Sequence, residues 1–179
     1  KYGLCWIQDF SSFFPINNMN IKNIKKKNID LCAAPGGKSF QILSLNKNII
    51  MNDKSKNRIE LIKENLDRLK FKKEIFNYDV LKLESKEKYD FIILDAPCSA
   101  LGTIRKNPEI FFKKKGPEFD YLCNLQSKML EKSVNLLSEN GSILYMVCSF
   151  IDCESTNQIS KFLSKNKNFY LEKFITKKD

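Results

Sequence analysis

Two cysteines and three aspartates follow apolar runs in this chain at points where a strand must stop, and together they offer a soft nucleophile beside carboxylates. In YDFIILDAPCSA, residues 89 to 100, Phe91, Ile92, Ile93 and Leu94 form a continuous apolar run. Its β-rich composition suits a strand buried on both faces of a parallel sheet. Asp95, Ala96, Pro97 and Cys98 come next, and proline ends the pairing by removing a backbone donor. A second apolar strand, Ser142 to Val147, delivers Cys148 and Ser149; Asn48 to Asn52 ends at Asp53, and Glu74 to Tyr78 ends at Asp79. All of these fall on the carboxyl edge of a sheet, where open α/β folds bind ligands. Singly, each thiol reads as inert and buried and each aspartate as a turn cap. Three carboxylates crowding one edge are a different matter, because they cost stability unless a ligand uses them.

The chain contains no histidine. That excludes Ser-His and Cys-His nucleophile pairs and every histidine-ligated metal site. Cys98, Cys123, Cys148 and Cys153 contain no CxxC pair, so no metal is expected. Cysteine attacks as thiolate, and activation here falls to a helix terminus, to Lys38 or to another cation. Conjugate addition to C6 of a pyrimidine needs such a nucleophile without a histidine base. It leaves C5 electron-rich enough to take a methyl group from a sulfonium donor. Spacing leaves open which cysteine attacks.

The elements that must position these groups alternate. Residues 28 to 38, NIDLCAAPGGK, read as a short strand running into a glycine-rich turn and then the helical SFQILSL. Small residues Ala33, Ala34, Gly36 and Gly37 let backbone approach a ligand, and the helix start aims free N–H groups at it. The turn is neither GxGxxG nor GxxxxGK[ST]. Asp53 lies seventeen residues after Gly36, near the spacing at which an acid meets a ribose diol, or else caps the next helix. That helix spans Lys54 to Lys70 through Ile59, Ile62, Leu66 and Leu69. After Cys98, a long loop beside the site offers Arg105, Lys106, Lys113, Lys114 and Lys115 to phosphates. Its Phe111 and Phe112 serve as stacking surfaces or as loop anchors. A helical stripe from Leu122 to Leu137 ends at Asn140-Gly141, Asp152 opens another helix, and Phe169 to Phe174 reads as a further strand. The whole predicts a doubly wound α/β sheet.

Residues 1 to 27 show no sustained period and read as a connecting segment whose Trp6, Phe10, Phe13 and Phe14 pack on a domain of residues 28 to 179. Within it Gln8-Asp9 has no assignable mechanism, and Lys25, Lys26 and Lys27 form either a solvated face or a phosphate contact. The chain starts at Lys1, not methionine, which reads as a piece of a longer polypeptide. Its 179 residues, 42% hydrophobic, suit one core, and a net charge of +10 fits a polyanionic partner as well as a lysine-rich background. Six cysteines without a signal peptide or a membrane-length apolar run imply reduced thiols in a cytoplasmic protein that avoids membranes.

DLCAAPGGK at 30 to 38, YDFIILDAPCSA at 89 to 100, IRKNPEI at 104 to 110 and the Cys148-Ser149 pair resemble the Sun/Nop family of S-adenosylmethionine-dependent RNA cytosine-C5 methyltransferases, most closely its bacterial 16S ribosomal RNA members. WIQD at 6 to 9 is similar to that family's pre-catalytic segment. The resemblance covers nearly all of residues 1 to 165. It implies a Rossmann-like class I methyltransferase sheet, here lacking its last strand, and a monomer acting on ribosomal or transfer RNA. It also implies that Cys32, Ala33, Ala34, Pro35, Gly36, Gly37 and Lys38 wrap the methionine and ribose of the cofactor. Asp53 would hold the ribose hydroxyls, Asp79 would meet the adenine, and Asp95 would lie between cofactor and base. Cys148 would attack C6 and Cys98 would help release the product, whereas DNA cytosine-C5 enzymes attack with the position of Cys98. The family's Pro-Glu-Glu-Asn-like run after the nucleophile is here Asp152-Cys153-Glu154-Ser155, matching at Glu154 alone. Upstream RNA-binding domains of the family, often NusB-like, are not in this sequence. A non-catalytic RNA-binding module that keeps the fold is the alternative of a different class.

Overall fold

The computed structural model describes residues 3, 5–20, 22, 24–112 and 115–174, without the Phe111 side chain. Lys113 and Lys114, offered as phosphate contacts, and the ring of Phe111, read as a stacking surface or a loop anchor, lie outside the described residues. Five strands, β1 (Asn28–Asp30), β2 (Ile50–Asn52), β3 (Ile75–Phe76), β4 (Tyr89–Asp95) and β5 (Leu137–Met146), form one parallel sheet in the order β3-β2-β1-β4-β5. The chain steps outward from β1 to β3 and then returns to β4 on the other side of β1. The crevice between β1 and β4 is therefore the topological switch point.

Residues of β4 alternate between two cores, as the period of two requires. Phe91 and Ile93 face one layer with Phe40, Ile62 and Leu66 from helices α2 (Gly37–Ser44) and α3 (Lys56–Leu69). Ile92 and Leu94 face the other with Met129 and Leu130 of α4 (Phe119–Leu136), where Ile159 and Phe162 of α5 (Thr156–Lys165) also pack. All four of these β4 side chains are at most 1% exposed. That explains the unbroken apolar run.

Four expectations need correction. The segment before residue 28 contains a helix, α1 (Phe10–Asn18), capped by Asp9, whose carboxylate accepts from Ser11 N–H. Its residues show no sustained apolar period because it lies on the surface, with Ile16 its one buried residue. Trp6 packs edge-on to Phe40 at 6.0 Å, but Phe10 is 72% exposed. Second, α4 ends at Leu136, and Asn140-Gly141 falls inside β5. The register runs Tyr89↔Leu137 and then Phe91↔Ser142, so the intervening residues bulge around Asn140 at φ 57°. Lys25 Nζ donates to the Asn140 carbonyl at 3.1 Å, and Ser138 Oγ donates to Asp90 at 2.9 Å. Third, Phe169 to Phe174 forms no strand; Phe169 packs on Phe162 at 5.3 Å, while Tyr170 and Leu171 stay exposed. Fourth, Phe112 does not anchor its loop, being 83% exposed. The basic run at 25 to 27 enters β1 at the amino edge, away from the crevice. There the Lys26 and Lys27 N–H groups donate to Asp90, and Lys27 pairs with Glu87.

Candidate active site

The first wall of the crevice is the turn after β1. Ala33 N–H donates to the Asn52 carbonyl at 2.8 Å and Gly36 N–H to the Ala33 carbonyl at 2.7 Å. Gly36 has φ 110°, and a Cβ there would lie 2.2 Å from the Phe40 ring, so only glycine lets the chain enter α2 at this angle. Asp53 braces the turn from β2, accepting Ala34 N–H at 3.2 Å and Ser55 N–H at 2.9 Å. Arg58 locks it from α3, donating to the Ala34 carbonyl at 2.5 Å and lying 3.6 Å from Asp53. Ser55, not Asp53, caps α3. At the end of β2 the buried Asn52 donates to the Leu31 and Tyr78 carbonyls and so fixes the chain just ahead of Asp79. Asp79 itself caps a short 3₁₀ turn and pairs with Lys54 at 2.7 Å, and that ammonium holds its carboxyl below the usual carboxylate range.

The second wall is β4. Lys38, from the first turn of α2, reaches across the switch point to Asp95 at 2.6 Å. The three edge carboxylates are therefore not uncompensated, as the sequence suggested: Arg58, Lys54 and Lys38 each neutralise one. Cys32 lies among Asp30, Asp53 and Asp95. Burial, aided by those charges, pushes its thiol far up and keeps it neutral.

Cys98 and Cys148 meet at the rim because of strand register. Asp95 pairs with Met146, and Ala96 N–H donates to the Met146 carbonyl at 2.9 Å, so both chains leave the sheet side by side. The sulfurs come to 3.3 Å. Cys148 is the exposed member. A hydrogen bond from the Cys98 thiol, its own N–H and the Lys38 charge bring it down to about 7, against burial and Asp95, while the same hydrogen bond and burial push Cys98 up. Gly102 N–H donates to the Cys148 carbonyl at 3.0 Å, and a Cβ on Gly102 would crowd that oxygen.

Residues without an assigned role in the sequence also shape the site. Gln8 accepts from Trp6 Nε1 at 3.1 Å, donates to Gln41 at 3.2 Å, and lines the cleft with Ile7, Ala34, Lys38 and Asp95. Asp9 pairs with Lys106, which ties the loop after Cys98 to α1 and, with help from Ser11, holds the Asp9 carboxyl at about 2. Arg105 and Lys115 are exposed. Glu154 and Gln126 are buried behind the two thiols. The signal for Gln126 was a polar residue on the apolar stripe of α4, one turn after Leu122; Glu154 was marked by its match to the family run.

A parallel sheet with a glycine turn and acids at its switch point is a Rossmann-like fold, and its likeness to solved structures makes it the class I methyltransferase form. The sequence profile described as 16S rRNA methyltransferase RsmB/F matches residues 18–179, and the chain belongs to that family. It is 38% identical over 152 residues to "Ribosomal RNA small subunit methyltransferase B" of Shewanella oneidensis, covering 82% of this chain and 36% of that protein. To the protein of the same name from Photorhabdus laumondii it is 36% identical over 177 residues, covering 93% and 40%. NSun6 from Pyrococcus horikoshii, solved with the S-adenosylmethionine analogue SFG, is 29% identical and superposes with a TM-score of 0.83, covering 98% of this chain and 45% of that one. The chain thus spans less than half the length of these three relatives.

Asp30 supplies a test of the local electrostatics. It is 1% exposed at the end of β1, accepts from Ser39 Oγ at 2.8 Å, and its Oδ1 has no partner among the described residues. Burial pushes it up to about 7 against the Ser39 hydrogen bond, with Asp95 adding and Lys38 opposing. The folded state therefore holds this proton more tightly than the unfolded chain, whose carboxyl titrates near 4. Its contribution to stability is complete below pH 4 and is lost as pH rises toward 7. Asp30→Asn removes that slope. Urea titrations at each pH should show the variant gaining on wild type across the interval, on the order of 1.4 kcal/mol per pH unit. Parallel profiles would contradict the assignment.

Proposed function

We propose that this chain is a catalytic domain that transfers a methyl group from S-adenosylmethionine to C5 of cytosine in structured RNA, 16S ribosomal RNA, through a covalent adduct between Cys148 and C6. The observation that carries the reading is the pair of sulfurs 3.3 Å apart at the rim of the switch-point crevice, one of them exposed and lowered to about 7. A histidine-free site with an available thiolate suits conjugate addition, not hydrolysis through a nucleophile–base pair.

The residues present fit the cofactor. The turn from Cys32 to Lys38 lines an open cleft and presents the start of α2 to the methionine carboxylate. Asp53 Oδ1 accepts one N–H and retains acceptor capacity for ribose hydroxyls. Asp79, paired with Lys54 after β3, would meet the adenine, and Asp95, held by Lys38, would lie between cofactor and base. Bound there, S-adenosylmethionine supplies the methyl group to carbon.

The chain's own part begins at Cys148. Its thiolate adds to C6, and the displaced electron pair enriches C5, where the new C–C bond would form as the donor's sulfonium–methyl bond breaks and leaves its electron pair on sulfur. The C5 proton then leaves, the C5–C6 double bond re-forms, and the C6–S bond breaks to return the thiolate. Cys98, in hydrogen-bond contact with Cys148, assists that release.

Transfer of labelled methyl to unmodified 16S RNA, with nucleoside analysis, tests the reading. Wild type should yield 5-methylcytidine, and Cys148→Ala none, with cofactor affinity unchanged to within about twofold; turnover by Cys148→Ala would overturn the nucleophile. Cys98→Ala should accumulate protein bound covalently to RNA, visible as a shifted band on denaturing gels. Fast turnover without any adduct would remove Cys98 from the release step.

A further inference from the structure

Behind the two thiols lies a carboxylate that the proposed reaction does not use. Glu154 is 0% exposed and has no ion-pair partner among the described residues. A buried charge is tolerated only where hydrogen bonds satisfy it. Those bonds converge from elements that carry the thiols. Glu154 Oε1 accepts Ser99 N–H at 2.8 Å and Gln126 Nε2 at 3.1 Å, and Oε2 accepts Ser99 Oγ at 2.5 Å. Ser149 Oγ lies 3.1 Å from Ser99 Oγ. Gln126 Nε2 also donates to the Pro97 carbonyl at 3.0 Å. Tyr145 at the end of β5 donates its hydroxyl to the Glu154 carbonyl at 2.7 Å, which fixes the backbone of the clamp. Hydrogen bonds thus grip the residues on both sides of Cys98, Pro97 and Ser99, and the neighbour of Cys148, Ser149. Burial opposes the Glu154 charge, but the bonds from Ser149, Ser99 and Gln126 outweigh it and hold the carboxyl below its usual value.

We propose that Glu154 is a positioning residue that clamps the loop bearing Cys98 against the loop bearing Cys148, holding the sulfurs in hydrogen-bond contact so that one thiol activates the other in a site without histidine. The activation of Cys148 by Cys98 is a property of the chain itself; its use in methyl transfer rests on the function proposed above. The charged and titratable groups that act on Cys148 are Cys98 and Asp95 from the β4 side and Lys38 from α2. Glu154→Gln keeps the volume, removes the charge, and places an NH₂ group where only acceptors now meet three donors.

The test is the rate of Cys148 alkylation by iodoacetamide against pH, read peptide by peptide on the folded chain, together with cofactor affinity by calorimetry. In wild type the midpoint should fall near 7. In Glu154→Gln it should move up toward the ordinary thiol value of about 8.5, slowing alkylation at pH 7 severalfold, with cofactor affinity preserved. Cys98→Ala should give the same shift, and the double variant no further one, because both break the same contact. Should Glu154→Gln fail to fold, Ser99→Ala, which removes the hydroxyl from the clamp, should shift the midpoint the same way by a smaller amount. An unmoved midpoint, or shifts of Glu154→Gln and Cys98→Ala that add, would overturn the clamp. Alkylation needs no RNA, so a shifted midpoint in a chain that never makes 5-methylcytidine would refute the proposed reaction and leave the clamp standing.

Discussion

The register between β4 and β5 is the constraint on which the site depends. Asp95 stands beside Met146, and neighbouring parallel strands run about 4.8 Å apart. Whatever follows within three residues on either strand must therefore share one small volume, and Cys98 and Cys148 do. A slip of one residue would turn Ile92 and Leu94 toward the layer now filled by Phe91 and Ile93, at the cost of both cores. The bulge around Asn140 sets the register that continues from Ser142, and it lies at the opposite edge from the chemistry, tied down by Lys25. Packing far from the rim thus fixes the distance between two sulfurs at it.

Charge is arranged to keep that rim usable. Asp53, Asp79 and Asp95 at the carboxyl edge each have their own cation, and each pair also ties a piece of backbone or bridges two elements: Asp53 with Arg58 braces the glycine turn, and Asp95 with Lys38 spans the switch point. Cys32, enclosed by acids, is driven to its neutral form, while Cys148, with Lys38 nearby and a thiol donating to it, is not. Two cysteines just past the ends of β1 and β5 in one sheet are thereby given opposite characters by surroundings alone.

Much of this was legible in the chain. Apolar runs that end in Asp53, Asp79 and Asp95 placed three strands and the edge on which ligands bind, because a buried parallel strand cannot tolerate polar residues and its end can. Helix α1 was not legible: FSSFFPINN lies on the surface with a proline inside it, and its cap Asp9 makes sense only with Lys106, remote in sequence. Asn140-Gly141 carried a true signal for a left-handed turn, but the sheet used it for a bulge where a helix end was expected. Cations for the acids could not be assigned, since lysines are everywhere in the sequence and only the fold selects Lys38 and Lys54. Glu154 stood out as a match without a mechanism, because its partners Ser99 and Gln126 are 55 and 28 residues away.

The central claim, that the register presents Cys148 and not Cys98 as the nucleophile, is tested most directly by trapping. RNA carrying 5-fluorocytidine at the target has no C5 proton to lose, so an attacking cysteine stays bonded to C6 after methyl transfer. Incubation of the chain and cofactor with such RNA, followed by nuclease and protease digestion and peptide mass analysis, locates the bond. The account predicts a methylated fluorocytidine on the peptide containing Cys148. The same adduct on the peptide containing Cys98 would contradict it.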